Sequence, residues 1–152
     1  MPGAYWTNRH RLEFNSADNK KVLFDMTYWF GGLYSGFSHE LRTAVSWRKD
    51  RHLTTSVELQ QYFVTLREGD FTTRLVLLKL NYAFSPFLTV SNFVQYDTDS
   101  RNIGLQSRVR WILKPGNEMY FVVNHAWQQT SLDRFESIQT NFRAKLNYTF
   151  RF

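Results

Sequence analysis

The chain has no cysteine, only three prolines and seven glycines, and no apolar run long enough to form a membrane-spanning helix. The absence of cysteine excludes a disulfide framework, thiol chemistry and cysteine-ligated metal sites. The low proline and glycine content excludes a low-complexity chain. A transmembrane helix needs about 20 apolar residues, so strands would have to make any membrane crossing. Residues 1–4 also lack the pattern of a signal peptide, so an exported protein would be a mature or trimmed form.

Aromatic residues make up 18% of the 152 residues, and the formal charge is +6. A basic excess of this size suits nucleic acid, anionic lipid or lipopolysaccharide as a partner. Average hydropathy does not decide between a soluble and a membrane protein, because a transmembrane barrel presents only alternate residues to lipid. The choice between these two classes therefore depends on the periodicity of the sequence.

Residues 142–152 alternate strictly between apolar and polar side chains. One parity carries Phe142, Ala144, Leu146, Tyr148, Phe150 and Phe152, and the other carries Arg143, Lys145, Asn147, Thr149 and Arg151. Because successive side chains of a strand point to opposite faces, this pattern predicts a strand with one apolar and one cationic face. The same period recurs around residues 22–30, 37–47, 57–63, 76–84, 88–96, 103–113 and 119–127, whereas residues 5–14 alternate weakly.

Turn-forming residues separate these runs, at positions 15–19, 31–32, 49–51, 67–70, 85–86, 97–100, 114–117 and 131–133. About nine strands result, most of them ten residues or longer. Strands of soluble proteins usually have about five or six residues, whereas tilted outer-membrane strands need about 9–11. We therefore predict a single all-β domain over residues 1–152, an antiparallel up-and-down transmembrane β-barrel of eight to ten strands, or the C-terminal part of a larger barrel. Residues 1–14 are weakly patterned and need not form a membrane-spanning strand.

The apolar face is predicted to point towards lipid. It is too bulky to fill the inside of a small barrel, and its Trp and Tyr residues lie near strand ends, where an aromatic girdle would meet headgroups. Asn92 and His125 fit this orientation least well. The alternative is a soluble β-barrel carrier with its apolar residues inside and an apolar ligand.

The polar face would then line the lumen. Its predicted charged lining consists of Glu40, Arg42, Glu58, Lys79, Arg108, Arg110, Arg143 and Lys145. These side chains could form an anion-preferring pore or a mutually paired polar plug, and the small interior of a barrel of about eight strands favours the plug. Nucleic-acid binding is disfavoured because the basic and aromatic residues lie on opposite faces.

No motif for a catalytic site, metal or cofactor is present. The four histidines lack zinc-like spacing. A lipid-modifying enzyme that uses His125 and Ser131 near the outer rim is a remote alternative. Arg67, Arg74, Arg101 and Arg134 lie near the predicted outer loops and could pair with lipopolysaccharide phosphates.

The last eight residues resemble the C-terminal signal that is read by the bacterial barrel-assembly machinery. Lys145, Tyr148, Phe150 and Phe152 carry the resemblance, while Asn147 replaces the usual glycine. The resemblance implies that this machinery is a partner during insertion into the outer membrane.

Longer stretches are similar to the C-terminal barrels of large bacterial surface proteins, in which a carbohydrate-binding-like domain precedes the barrel. The similar stretches are residues 69–75, 82–86, 94–97, 108–111 and 114–117. The resemblance implies a bacterial outer-membrane barrel with no catalytic residues and with a missing N-terminal domain or a partner subunit. We therefore expect a non-enzymatic anchor, scaffold or narrow pore, with a porin-like channel, as a fragment or an oligomer, as the alternative.

Overall fold

The computed structural model describes residues 7–149, which form nine β-strands. The strands are β1 (Arg9–Asn15), β2 (Val22–Leu33), β3 (Gly36–Arg48), β4 (Leu53–Leu66), β5 (Gly69–Ser85), β6 (Leu88–Asp97), β7 (Asn102–Lys114), β8 (Asn117–Gln129) and β9 (Phe135–Asn147). Within these residues, no helix is long and apolar enough to cross a membrane.

Each strand pairs antiparallel with its neighbours in sequence, so the nine strands form one sheet in the order β1 to β9. This topology confirms the predicted all-β, up-and-down arrangement. β1 has seven residues, and the other strands have 10 to 17. Eight of the nine strands therefore have the length that a tilted membrane-spanning strand requires.

Most of the predicted turns lie where expected, but the turn at Gly31 and Gly32 is wrong. Both glycines lie inside β2, and the chain reverses at Tyr34 and Ser35, with Tyr34 at a φ of 49°. A Cβ on Gly31 would lie 2.1 Å from the carbonyl oxygen of Asn8. A glycine at position 31 therefore lets the segment before β1 pass close to β2, and it does not form a turn.

The turn between β3 and β4 is held by Asp50. Its Oδ1 accepts hydrogen bonds from the backbone N–H groups of His52 (2.7 Å) and Leu53 (3.0 Å). These two bonds favour the carboxylate form and lower the pKa of Asp50. An Asx-type turn of this kind is a local feature that fixes where the two strands reverse.

The two faces of the sheet differ in burial. Among residues 7–149, the most buried side chains (Leu23, Ser38, Glu58, Val64 and Leu77) all lie on one face by strand register. We call this surface the inner face. The opposite, outer face exposes large apolar side chains such as Leu146 (59%) and Trp111 (47%).

The alternating apolar side chains therefore do not form a sealed core. The chain exposes 11494 Å², whereas a compact soluble protein of 18.2 kDa would expose about 8,100 Å². A soluble carrier would need these apolar side chains on the inside, so this arrangement is the opposite of the soluble alternative. The outer face requires a nonaqueous environment.

Two histidines of the outer face have hydrogen-bond partners on the same face. Thr140 Oγ1 and His125 Nδ1 are 2.7 Å apart, and the His125 ring lies 4.0 Å from that of Trp127. The Tyr28 hydroxyl is likewise hydrogen-bonded to His39 Nδ1 on the same face. Lateral pairing of this kind reduces the cost of placing an imidazole on an apolar surface.

The close approach of β3 and β4 at Gly36 can be tested. A Cβ on Gly36 would lie 1.8 Å from the Thr65 carbonyl oxygen, whereas a Cβ on Gly104 would have nothing within 4 Å. We expect Gly36→Ala to lower the free energy of unfolding by about 2 kcal/mol or more through backbone displacement. Gly104→Ala is the matched control and should be neutral. Urea titration in detergent, followed by tryptophan fluorescence, measures both, and equal effects would contradict the register at Gly36.

Candidate pore lining

Strand register brings all eight predicted lining residues to the inner face. The ladders place Glu40 and Arg42 of β3 beside Tyr62 and Gln60 of β4, and continue through Glu58 and Lys79 to the later strands. Arg108 and Arg110 of β7 and Arg143 and Lys145 of β9 share this face, with β8 between them. Their position agrees with the sequence prediction, while their role as a lining stays a prediction.

Glu58 is the centre of a polar cluster between β3 and β5. One of its carboxylate oxygens accepts hydrogen bonds from Arg42 Nε (2.6 Å) and Gln60 Nε2 (2.7 Å). The other lies 3.9 Å from Lys79 Nζ. Because only 8% of the Glu58 side chain is exposed, these partners compensate for the removal of its charge from water.

A second cluster joins β7 and β8 next to their tight turn. The Arg110 guanidinium donates to both carboxylate oxygens of Glu118, at 3.2 and 2.7 Å, and the Tyr120 hydroxyl also donates to this carboxylate. Such a bidentate contact fixes the planar Arg110 side chain against the wall. At the other edge of the sheet, Arg9 pairs with Glu40 at 3.3 Å.

The remaining cations have no such partners. Arg108, Arg143 and Lys145 are exposed and make no ion pair with any residue of 7–149. Together with Arg110 they form what we call the cationic strip, on β7 and β9. Its four positive charges face one carboxylate, Glu118, which leaves a local net charge of +3. The mutually paired plug that the sequence favours therefore lacks counterions for three of these cations among the described residues.

Two contributors to the inner face were missed in the sequence. Glu118 has the same parity as Tyr120, and this parity could have identified it as a partner for the arginines of β7. Phe93 lies between Lys79 and Gln106 in register, and Lys79 Nζ is 5.9 Å from its ring centroid. The alternation of β6 places Phe93 on the same face as Ser91 and Gln95, but its neighbours on β5 and β7 follow only from the register.

The structure does not assemble the remote catalytic alternative. Within residues 7–149, no hydrogen bond joins His125 to Ser131, and no group of three His, Cys, Asp or Glu side chains could hold a metal ion. In the predicted assembly signal, Lys145 belongs to β9 and Tyr148 follows it, while Phe150 and Phe152 lie outside the described residues.

Comparison with solved structures shows the same fold in porins. The chain is similar to the structure described as "KdgM porin" and to that of the "KdgM porin in complex with disordered oligogalacturonate". For each, the TM-score is 0.52 at 12% sequence identity, over 95% of this chain and 76% of the porin chain. At this identity the similarity shows the fold alone. No family model matches the chain, and no curated protein matches it in sequence.

The buried position of Glu58 gives a stability prediction. Glu58→Gln leaves the Arg42 guanidinium and Lys79 without their counterion, and we expect the free energy of unfolding to fall by about 1–2 kcal/mol, since Arg42 remains half exposed to solvent. Glu136→Gln, at an exposed inner position of β9 without an ion pair among the described residues, is the control and should change it by less than about 0.5 kcal/mol. Urea unfolding measures both, and an equal loss in both variants would argue against the Glu58 cluster.

Proposed function

We propose that this chain forms a non-enzymatic, porin-like channel of the bacterial outer membrane that prefers anionic solutes. The observation that carries the proposal is the cationic strip. Three of its four side chains, Arg108, Arg143 and Lys145, have no ion-pair partner among residues 7–149, and they lie on the inner face, opposite the mainly apolar outer face. Lipid would cover the outer face, because each tilted strand then presents its apolar parity to acyl chains. The similarity to porins of known structure supports this choice.

The unpaired cations argue against a plugged interior. A plug requires the charged side chains of the lumen to compensate one another, as Arg42 and Glu58 do. The cationic strip does not meet this requirement. Positive side chains on a low-dielectric wall concentrate anions and exclude cations, as selective pores do. A role only as an anchor or scaffold would not require unpaired cations on the inner face.

Acidic oligosaccharides are candidate solutes. One of the similar porin structures is described as a complex with disordered oligogalacturonate, which is a chain of carboxylated sugars. Guanidinium and ammonium groups at successive inner positions of β9 could pair with successive carboxylates of such a chain. Lipopolysaccharide, the barrel-assembly machinery and a partner subunit or N-terminal domain are further partners that we propose from the sequence.

Orientation in the membrane can be tested with single cysteines, because the chain has none of its own. Arg143 lies on the inner face of β9, and its neighbour Phe142 lies on the outer face. In lipid vesicles, we expect Arg143→Cys to react with a charged, membrane-impermeant thiol reagent at least about tenfold faster than Phe142→Cys, because acyl chains protect the latter. Comparable rates for the two variants would remove the support for a lipid-covered outer face.

Ion selectivity tests the channel itself. In planar bilayers under a salt gradient, the chain should give conductance steps with a reversal potential that indicates anion preference. Arg143→Gln combined with Lys145→Gln should shift this potential towards zero, and high salt should weaken the preference by screening. The control combines Arg67→Gln with Arg134→Gln, which removes the same charge from connecting segments. A silent membrane, or an equal shift in the control, contradicts the proposal.

A further inference from the structure

A second region of the inner face is rich in carboxamides and lies beyond the cationic strip. A cavity of about 410 Å³ there is bordered by β6, β7, β8 and β9, and we call it the amide cavity. Its amide side chains are Gln95, Asn102, Gln106, Asn124, Gln139 and Asn141. The volume is within the range of about 300–1,000 Å³ that is typical of small-molecule sites.

Most of these amides have unused hydrogen-bonding capacity. Gln106 Nε2 donates to Asn124 Oδ1 at 2.9 Å, while the side chains of Gln95, Gln139 and Asn141 make no hydrogen bond within residues 7–149. Asn102 Oδ1 is buried and has no partner there. A buried acceptor without a partner costs free energy, so a ligand that donates to it would be stabilised.

The cavity also has an apolar element and almost no charge. The ring of Phe93 borders it, and Phe93 borders the neighbouring cavity with Lys79 and Arg108 as well. Among the carboxylates, only Asp97 lines it, and both Asp97 oxygens already accept hydrogen bonds, from Asp99 N and Ser100 Oγ. The site therefore offers neutral donors and acceptors beside an aromatic face.

We propose that the amide cavity binds an uncharged pyranose ring of an oligosaccharide. A carboxamide can donate and accept at once, which matches neighbouring sugar hydroxyls. The C–H face of a pyranose is apolar enough to lie on an aromatic ring such as Phe93. The inference rests on the proposed function only in that the inner face is open to solutes. It adds a neutral subsite beside the cationic one.

The experiment measures the binding of maltotriose and of a neutral galactose trisaccharide to the full chain folded in detergent, by titration calorimetry. At least one of the two should bind the wild type. Gln139→Leu combined with Asn141→Leu should weaken this binding at least about tenfold, since two hydrogen-bonding groups are lost. Neither side chain has a hydrogen-bond partner within residues 7–149, so the variant should fold.

Two comparisons make the result specific. Gln61→Leu combined with Asn92→Leu removes two amides from the outer face of the same sheet and should leave sugar binding unchanged. Phe93→Ala should weaken binding, whereas Phe93→Tyr, which keeps the ring, should preserve it. This pair tests the site independently of the amide variant.

The outcomes separate this inference from the proposed function. If neither trisaccharide binds, or if the Gln139 and Asn141 variant binds as the wild type does, the amide cavity is not a sugar site, whatever the ion selectivity. If sugar binds but the bilayer recordings show no anion preference, the proposed channel fails while the sugar site stands.

Discussion

The antiparallel register of the eight strand ladders is the constraint on which the whole structure depends. Side chains alternate across a strand, so each ladder transmits the face assignment of one strand to the next. A slip of one residue between β7 and β8 would place Arg108 and Arg110 beside outer-face residues such as Phe121. The cationic strip, the Glu58 cluster and the amide cavity exist together because the register is continuous across the paired stretches that carry them. The one-residue shifts in three ladders lie outside these stretches, after Ala83 in β5, after Ile112 in β7 and after Ala126 in β8.

The sequence predicted the fold class and the assignment of faces because both follow from a local period. In β9, Arg143 and Lys145 alternate with Phe142 and Leu146, and this alternation needs no knowledge of any other strand. The eight predicted lining residues share one face of the sheet for the same reason, while their role as a lining stays a prediction. Turns such as Pro115-Gly116 are also local, since proline and glycine restrict or permit backbone angles by themselves.

Interactions between distant strands could not be predicted in this way. Gly31 was assigned to a turn because its contact with Asn8 is visible only after β1 and β2 pair. The cationic partners of Glu58 come from β3 and β5 and depend on register. The position of Phe93 between Lys79 and Gln106 depends on register as well. The sequence could not predict which of the charges on the inner face form ion pairs, because this pairing depends on which strands are neighbours. Arg108 and Arg143 are separated by β8, and the residue between them is Val122.

The odd number of described strands has a consequence for closure. In a meander, alternate strands run in the same direction, so β1 and β9 are codirectional, and among residues 7–149 no ladder joins them. Joining these two strands directly would create a parallel seam, and bacterial single-chain barrels have even strand numbers. A seam with antiparallel bonds throughout requires an odd number of additional strands between β9 and β1, so a channel formed by these nine strands alone would close through a parallel seam. Rotating a second copy about the membrane normal preserves strand direction, so direct contact between the edges of two identical sheets would again be parallel.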